Sequence, residues 1–373
     1  MHIGLNLLFL VPGETGGMEV AARETLPELV AAAPGTRFTA FVNREAAGED
    51  WGAGIESVVL PVDARNRVEW VRGEQQLLPA AVTRAGCDLV HSLGSTAPLR
   101  GRFGRVVTIH DLIYKRFPEA HGAVKALGMR VLVPLAARSS HRIIAVSHAT
   151  RDDLVELLHV PAHKVDVVAQ AAAAPHVGPT PEPELRARLG LGKRRLLLTA
   201  SAKRRHKNLV RLLEAHALLH RDRPLLVLPG YATEHEAELR AHATTLGTAA
   251  DVCFLGWVGD ADMEGLYAAA AAFVFPSLYE GFGLPVLEAM QRGVPVACSA
   301  GSALAEVAGD AALLFDPRDV AAIAGAVRTL LEDEVVAARL RLRGRVQAAS
   351  FGWRATARGC LDVYGRVLGR PFS

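Results

Sequence analysis

Short, almost unbroken apolar runs alternate along this chain with longer stretches of helical periodicity, and the pattern runs through twice. Residues 2–10 (HIGLNLLFL), 37–42, 56–61, 88–93, 105–111, 142–147 and 164–169 read as strands. Between them, 18–33, 68–86, 122–138 and 149–159 carry helical patterns; in the first, Met18, Ala22, Leu26 and Leu29 share one side. Strands apolar on both faces need cover on both faces, and helices connecting parallel strands supply it. The grammar restarts at 195–200 and continues through strands at 224–230, 251–256, 272–277 and 294–299. Helical stretches at 318–331, 334–349 and 353–368 close the chain.

The break between the two runs is 170–184, QAAAAPHVGPTPEPE, with four prolines and no periodicity. The expected architecture is therefore α/β, with two Rossmann-like domains whose parallel sheets face each other across a cleft. The expected boundaries are 1–170 for the first domain, 171–190 for a linker and 191–350 for the second. A final helix, 351–373, is expected to return toward the first domain. Ligands of such sheets sit beyond the carboxyl ends of the strands.

Composition narrows the chemistry. The 42 basic and 39 acidic residues leave a net charge of +3, and residues 1–180 carry 18 of each sign. A nucleic-acid binder needs a stronger or more clustered basic field, so any anion site must be local. The 4 cysteines form no Cys-x-x-Cys pair and fit a reducing compartment. The N-terminal apolar stretch lacks a basic flank and a small-residue cleavage site, and reads as a strand rather than a signal peptide. The uncharged run 265–279 is 15 residues long and contains Pro276, short of a spanning helix. The expected place is the cytoplasm, with peripheral contact at the inner face of the membrane left open.

The richest segment is Pro276-Ser277-Leu278-Tyr279-Glu280-Gly281-Phe282-Gly283-Leu284-Pro285-Val286-Leu287-Glu288. A buried strand ends at Ser277, a glycine-containing loop follows, and Pro285 lies near a helix start, where its missing N–H costs little. The N–H groups of Phe282, Gly283 and Leu284 then point out of a helix N-terminus, an anion site. Glu280 and Glu288 bracket it, and carboxylates accept hydrogen bonds from sugar hydroxyls. Taken alone, such a pair could be a turn cap and a solvated helix residue; the whole strand–loop–helix string favours a ligand with phosphates and hydroxyls. A second segment, Ala200-Ser201-Ala202-Lys203-Arg204-Arg205-His206-Lys207-Asn208-Leu209, follows a strand and opens a helix. Lys207 is expected in the first helical turn, where the dipole disfavours a cation and a bound anion would relieve the conflict. The bland alternative is a solvated basic turn.

These segments resemble the retaining glycosyltransferases of family 4, the group-1 type with the GT-B fold. PSLYEGFGLPVLEAMQRGVPVACS carries the resemblance most densely, with Glu280 and Glu288 as its Glu-x7-Glu element. It extends to 302–312 and Asp316-Pro317, to RVVTIHDLIYKRFPE (105–119) and to HRIIAVSHATRDDL (141–154), and so covers essentially the whole chain. The resemblance implies that Glu280 faces the donor sugar and helps stabilise positive charge at the anomeric carbon. It implies that Glu288 holds the ribose hydroxyls and that the amides of Phe282, Gly283 and Leu284 meet the sugar or its phosphates. Lys207, with an upstream cation, would bind the diphosphate; Arg204 is the candidate for that cation, with Lys203 behind it. Many relatives carry Gly-Arg or Gly-Asn where this chain has Ser201-Ala202. Gly16 and Gly17, in the turn after the first strand, would meet the diphosphate or the acceptor. His110, at a strand end beside Asp111, would orient the sugar or act at the transition state, and Val258 would contact the nucleobase through its backbone. Ser147 would line the same cleft.

Two decoys are set aside. Asp260-Ala261-Asp262 has the spacing of a metal motif, but it begins a helix, where Asp260 as N-cap and acidic residues in the first turn obey helix rules. The histidines, including His235 and His242, lack metal-ligand spacing. No metal and no cofactor are expected; the nucleotide diphosphate sugar is a substrate. The expected function is metal-independent, retaining transfer of a hexose, of mannose or rhamnose type, to a hydroxyl of a glycan, lipid-linked or small-molecule acceptor. A nucleotide-sugar epimerase of the same architecture is one alternative. A non-catalytic partner subunit that holds a nucleotide or glycan is another. The arginines at 339, 341, 343 and 345 could touch anionic lipid, but a spacing of two is expected to spread them around a helix, and a solvated surface is the favoured reading.

Overall fold

A computed structural model describes residues 1–117, 123–219 and 223–372. Pro118 and Glu119 of the 105–119 stretch, and Gly122 of the expected helix 122–138, lie outside them. The chain divides into two compact units, Met1–Ala171 together with Phe351–Ser373, and Ala172–Ser350.

The first unit is built on strands β1 (His2–Asn6), β2 (Arg37–Val42), β3 (Ile55–Val59), β4 (Leu89–Ser92), β5 (Gly104–Ile109), β6 (Arg142–Ala145) and β7 (Val165–Val167). They pair in parallel in the order β3-β2-β1-β4-β5-β6-β7. The order reverses between β1 and β4, which opens a crevice beyond their carboxyl ends. Helices α1 (Gly17–Ala32), α2 (Arg67–Arg72), α3 (Leu78–Ala85), α4 (Ile113–Arg116), α5 (Ala123–Ser139) and α6 (His148–Leu158) connect the strands. One core joins Ile3, Leu5, Phe38 and Leu89 of the sheet with Leu26 and Leu29 of α1.

The second unit repeats the plan with β8 (Leu196–Leu198), β9 (Leu225–Leu228), β10 (Val252–Phe254), β11 (Ala270–Phe275), β12 (Val296–Ser299) and β13 (Ala312–Phe315). All pair in parallel, in the order β10-β9-β8-β11-β12-β13, so the switch point lies between β8 and β11. Its helices are α7 (Glu182–Leu189), α8 (Leu209–Ala217), α9 (His235–Thr245), α10 (Asp260–Ala269), α11 (Leu284–Gln291), α12 (Ser302–Ala308), α13 (Val320–Glu332) and α14 (Glu334–Ala349). Thus α7 occupies part of the expected linker 171–190. Its Leu185 is buried, and the α10 glycine Gly265 admits it closely: a Cβ there would lie 3.1 Å from Leu185 Cδ2 and 2.8 Å from the carbonyl oxygen of Thr180 just before α7. The last helix, α15 (Trp353–Leu368), packs on α1 and on β5 and β6, which makes it part of the first unit.

Several local expectations change. The first strand ends at Asn6 rather than residue 10 because the Asn6 Oδ1 accepts from the Leu8 N–H at 3.1 Å, an Asx turn. The stretch 68–86 is not one helix. Residues 73–77 form a wider, π-type turn between α2 and α3. Pro79 explains it: proline offers no N–H to the carbonyl four residues back and its ring crowds that carbonyl. Strand β13 had no expected counterpart.

Candidate functional site

The second unit's switch point is where the loop after β8 meets the loop after β11. Arg205–Lys207 form a 3-10 turn, and Asn208 follows with φ 59°, so α8 begins only at Leu209. Lys207 therefore precedes the helix rather than lying in its first turn, and a clash with the helix dipole is not what shapes it. Its ammonium is 2.6 Å from Glu280 Oε1, and both side chains are largely buried. The Ser277 hydroxyl donates to the same carboxylate oxygen at 2.5 Å. The Glu280 N–H donates to the Ser302 hydroxyl at 3.1 Å, which ties the loop to the start of α12. A lysine and a glutamate 73 residues apart in sequence thus form one buried ion pair at the carboxyl ends of two adjacent central strands.

Asn208 holds the two loops together. Its amide donates to the carbonyls of Pro276 at 3.0 Å and Pro317 at 2.7 Å. The Leu278 N–H donates to the His206 carbonyl at 2.8 Å. Asparagine tolerates left-handed backbone better than most residues, so one side chain sets both the turn and the bridge. Nothing in the sequence around Asn208 signals those partners.

The other cations differ in what they can offer. Arg205 pairs with Glu238. Lys203 is buried, and its ammonium donates to the carbonyls of Gly230 and, at 2.6 Å, Leu255; burial pushes its pKa down to about 8. It braces the ends of β9 and β10 and does not stand ready for a ligand. Arg204 is half-exposed, and its guanidinium has no hydrogen-bond or ion-pair partner among the described residues. Ser201 and Ala202 both have negative φ, so the absence of glycine there imposes no backbone strain. The tight fit is instead at Gly230 (φ 123°), where a Cβ would lie 2.4 Å from the Ser201 carbonyl oxygen.

Gly283 is the N-cap of α11 with φ 120°, and a Cβ there would meet Leu304 at 2.7 Å. The loop is thereby drawn tight, with Pro285 in the first turn, and the amides of Gly283 and Leu284 lie at the helix N-terminus. The Phe282 ring is buried, so this residue can offer a ligand only its backbone. Glu288 sits on α11 and accepts from the Tyr267 hydroxyl at 2.9 Å; burial raises its pKa. One of its oxygens is thus committed, and Tyr267 is a positioning partner that the sequence did not suggest. Val258 is half-buried in the loop between β10 and α10, beside an exposed Trp257 that stacks on Tyr231 with ring centroids 4.9 Å apart.

The first unit carries the remaining candidates. Gly16 caps α1 with φ 66° and Gly17 is its first residue; space around a Cβ at Gly16 is open within 4 Å. In the same loop the Gly13 N–H donates to Glu19 at 2.8 Å. His110 follows β5. Its Nε2 lies 2.8 Å from the Leu93 carbonyl oxygen, which makes that nitrogen the donor, and its Nδ1 lies 3.5 Å from the Gln170 amide nitrogen. Burial lowers its pKa, so a neutral imidazole is favoured. With Met18, His91, Gln170 and Cys360 it lines part of a cavity of about 30 Å³. His91 is bonded on both nitrogens, to Tyr364 and Thr108, each at 2.7 Å, and burial takes its pKa down to about 3. Asp111 accepts from the Ile113 N–H at 3.0 Å. Ser147 is the buried N-cap of α6, accepting from the Thr150 N–H at 3.0 Å.

The decoy motif has structural partners. Gly259, not Asp260, is the N-cap of α10. Asp262 accepts from Thr180 at 2.7 Å and pairs with Arg188. Among the described residues no three His, Cys, Asp or Glu side chains gather as metal ligands.

Two doubly wound parallel sheets, the second with an ion pair and a helix N-terminus at its switch point, define a protein of the GT-B class. Comparison with known proteins gives the family. Residues 15–171 match the family described as Glycosyltransferase Family 4, and residues 181–347 match Glycosyl transferases group 1. The chain is 34% identical over 266 residues to the O-antigen chain mannosyltransferase B of Escherichia coli, covering 69% of each. It is 32% identical to a D-inositol 3-phosphate glycosyltransferase of Frankia alni, over 96% of this chain and 86% of that one. In fold it matches Anabaena HepE, whose structure holds UDP and glucose, with TM-score 0.75, 21% identity and coverage of 98% and 100%. The chain belongs to glycosyltransferase family 4 and is a glycosyltransferase.

Proposed function

We propose that this glycosyltransferase moves a hexose, of mannose type, from a nucleotide diphosphate sugar to a hydroxyl of a glycan, lipid-linked or small-molecule acceptor, with retention of anomeric configuration and without a metal ion. The observation that carries this reading is the Lys207–Glu280 pair at the switch point of the second sheet, 2.6 Å long and flanked by the α11 N-terminus. Glycosyl transfer develops positive charge at the anomeric carbon while a diphosphate departs. A site for it needs an anion on the sugar side and cations or dipoles on the phosphate side. The pair supplies both. An incoming diphosphate takes Lys207 over, together with Arg204 and the amides of Phe282, Gly283 and Leu284. Glu280 is then released toward the sugar hydroxyls and the anomeric carbon, still held by Ser277. Glu288 offers its remaining oxygen to the ribose hydroxyls, and the backbone at Val258 meets the nucleobase.

On this reading the first unit serves the acceptor and sugar side. Gly16 and Gly17 admit close approach of a phosphate or an acceptor, and His110 orients the sugar through a neutral ring. Its Nδ1 is the only ring nitrogen free to accept from a hydroxyl, in place of Gln170. The mannose assignment is supported by the likeness to the O-antigen chain mannosyltransferase B, and the nucleotide donor by the likeness to HepE, whose structure holds UDP.

The test is transfer from GDP-mannose, UDP-glucose and dTDP-rhamnose to glycan acceptors, with and without EDTA, and with the product's anomeric configuration read by NMR. Retained configuration and an unchanged rate in EDTA are expected. Inversion, or loss of the rate in EDTA, would refute the corresponding part of the proposal. An isomerised nucleotide sugar formed without acceptor would make the protein an epimerase.

A further inference from the structure

Helix α14 is amphipathic twice over. Ala337, Leu340, Gly344 and Ala348 are buried, and the helix packs on α11 and α13. The opposite side is also apolar. Val335, Leu342 and Val346 are 81%, 65% and 74% exposed, and Ala338 and Ala349 are exposed with them. At about 100° per residue, these five positions fall within roughly 80° of arc centred on Leu342. Arg339 and Arg343 border that arc on one side, and Arg341 and Arg345 on the other. The two-residue spacing therefore does not scatter the arginines. It places a pair on each flank and leaves the outermost ridge apolar. Arg341 pairs with Glu334 and Arg343 with Asp310, whereas Arg339 and Arg345 have no acidic partner among the described residues.

We propose that this outer ridge of α14 is a docking surface for an anionic lipid bilayer. A helix lying in a membrane interface inserts an apolar stripe among the acyl chains and lifts long cationic side chains from its flanks to the headgroups. The α14 ridge has both parts in that order, and it carries four arginines against one glutamate. A second copy of the chain fits the ridge poorly. Antiparallel pairing about Leu342 would set Arg339 against the partner's Arg345, cation against cation. No helix among the described residues is long and apolar enough to cross a membrane, so the contact would be peripheral.

The experiment is flotation of the full chain with vesicles of equal parts phosphatidylglycerol and phosphatidylcholine, against vesicles of phosphatidylcholine alone. Binding to the anionic vesicles is expected, and it should weaken as salt is raised. The variant L342D/V346D should bind about tenfold less or worse, and R339E/R345E should bind comparably poorly. All four positions are exposed, so an unchanged Tm and circular dichroism spectrum are expected for both variants. Equal binding to both vesicle types, or binding that survives in L342D/V346D, overturns the proposal. So does a wild-type dimer in light scattering that L342D/V346D splits, because the ridge would then be covered by its own copy.

Discussion

At the scale of single residues, the site depends on charges that are satisfied before any substrate arrives. Lys207 and Glu280 neutralise each other in a largely buried setting, where removing one partner leaves the other uncompensated. Glu280→Gln keeps the shape and the Ser277 contact but removes the anion. We expect transfer to fall by at least about 100-fold, with nucleoside diphosphate affinity equal or higher because Lys207 loses its competitor; titration calorimetry and initial rates on the same preparation check both. Asn208→Ala removes two buried hydrogen bonds and puts alanine at φ 59°. A loss of about 2–4 kcal/mol in urea unfolding is expected, and Asn208→Gly should recover only the backbone share. Glu74 supplies a pH-dependent case. Its carboxyl is buried against Asn6 and Thr96, and burial pushes its pKa up to about 7. The folded state then holds this proton more tightly than the unfolded chain, whose glutamates titrate near about 4.3. Stability is accordingly lost as pH rises from the unfolded value through about 7. In Glu74→Gln this fall should flatten between those pH values; an identical slope in wild type and variant would show that Glu74 does not titrate there.

At the scale of elements, much of the fold was readable because buried parallel strands are apolar on both faces and their connecting helices are not. The helices at 334–349 and 353–368 agree with α14 and α15 residue for residue. Strand ends were less legible, since what stops β1 is a hydrogen bond from the Asn6 side chain, not a change in apolarity. Strand β13 is four residues long with a half-exposed interior, and carries too little pattern to stand out. The π-type turn at 73–77 was written in Pro79, but only a register argument finds it. The site was partly legible in the same sense. Glu280, Glu288 and Lys207 stood in local motifs. Ser277, the partner of Glu280, stood in the same motif, but Tyr267, the partner of Glu288, did not. The bridge from Asn208 to Pro276 and Pro317, and the approach of Gln170 to His110, were not visible locally because those contacts join segments distant in sequence. Gly230 shows how tightly the elements are drawn. Gly230→Ala would put a methyl group 2.4 Å from the Ser201 carbonyl oxygen at φ 123°. It should lower stability by more than about 2 kcal/mol and displace the loop that carries Lys203 and Arg204. Urea unfolding alongside nucleotide titration measures the two effects.

At the scale of the whole molecule, the first unit is discontinuous in sequence. Tyr364 is buried against His91, and α15 completes the core that α1 begins. Residues 1–171 alone should therefore fail to give cooperative unfolding, whereas 172–350, which holds every proposed diphosphate contact except Gly16 and Gly17, should fold and retain weakened nucleotide binding. The central claim concerns how a departing diphosphate is stabilised. The most direct measurement is calorimetric titration of the full chain in EDTA with UDP, GDP and ADP, each beside its nucleoside, repeated on Lys207→Ala and on R204A/K207A. The account predicts that the preferred diphosphate outcompetes its nucleoside without metal. It predicts that this margin shrinks by about tenfold or more in Lys207→Ala, each charged contact being worth about 1.5–3 kcal/mol, and all but disappears in the double variant. A margin that vanishes in EDTA, or one that both variants leave intact, would contradict it.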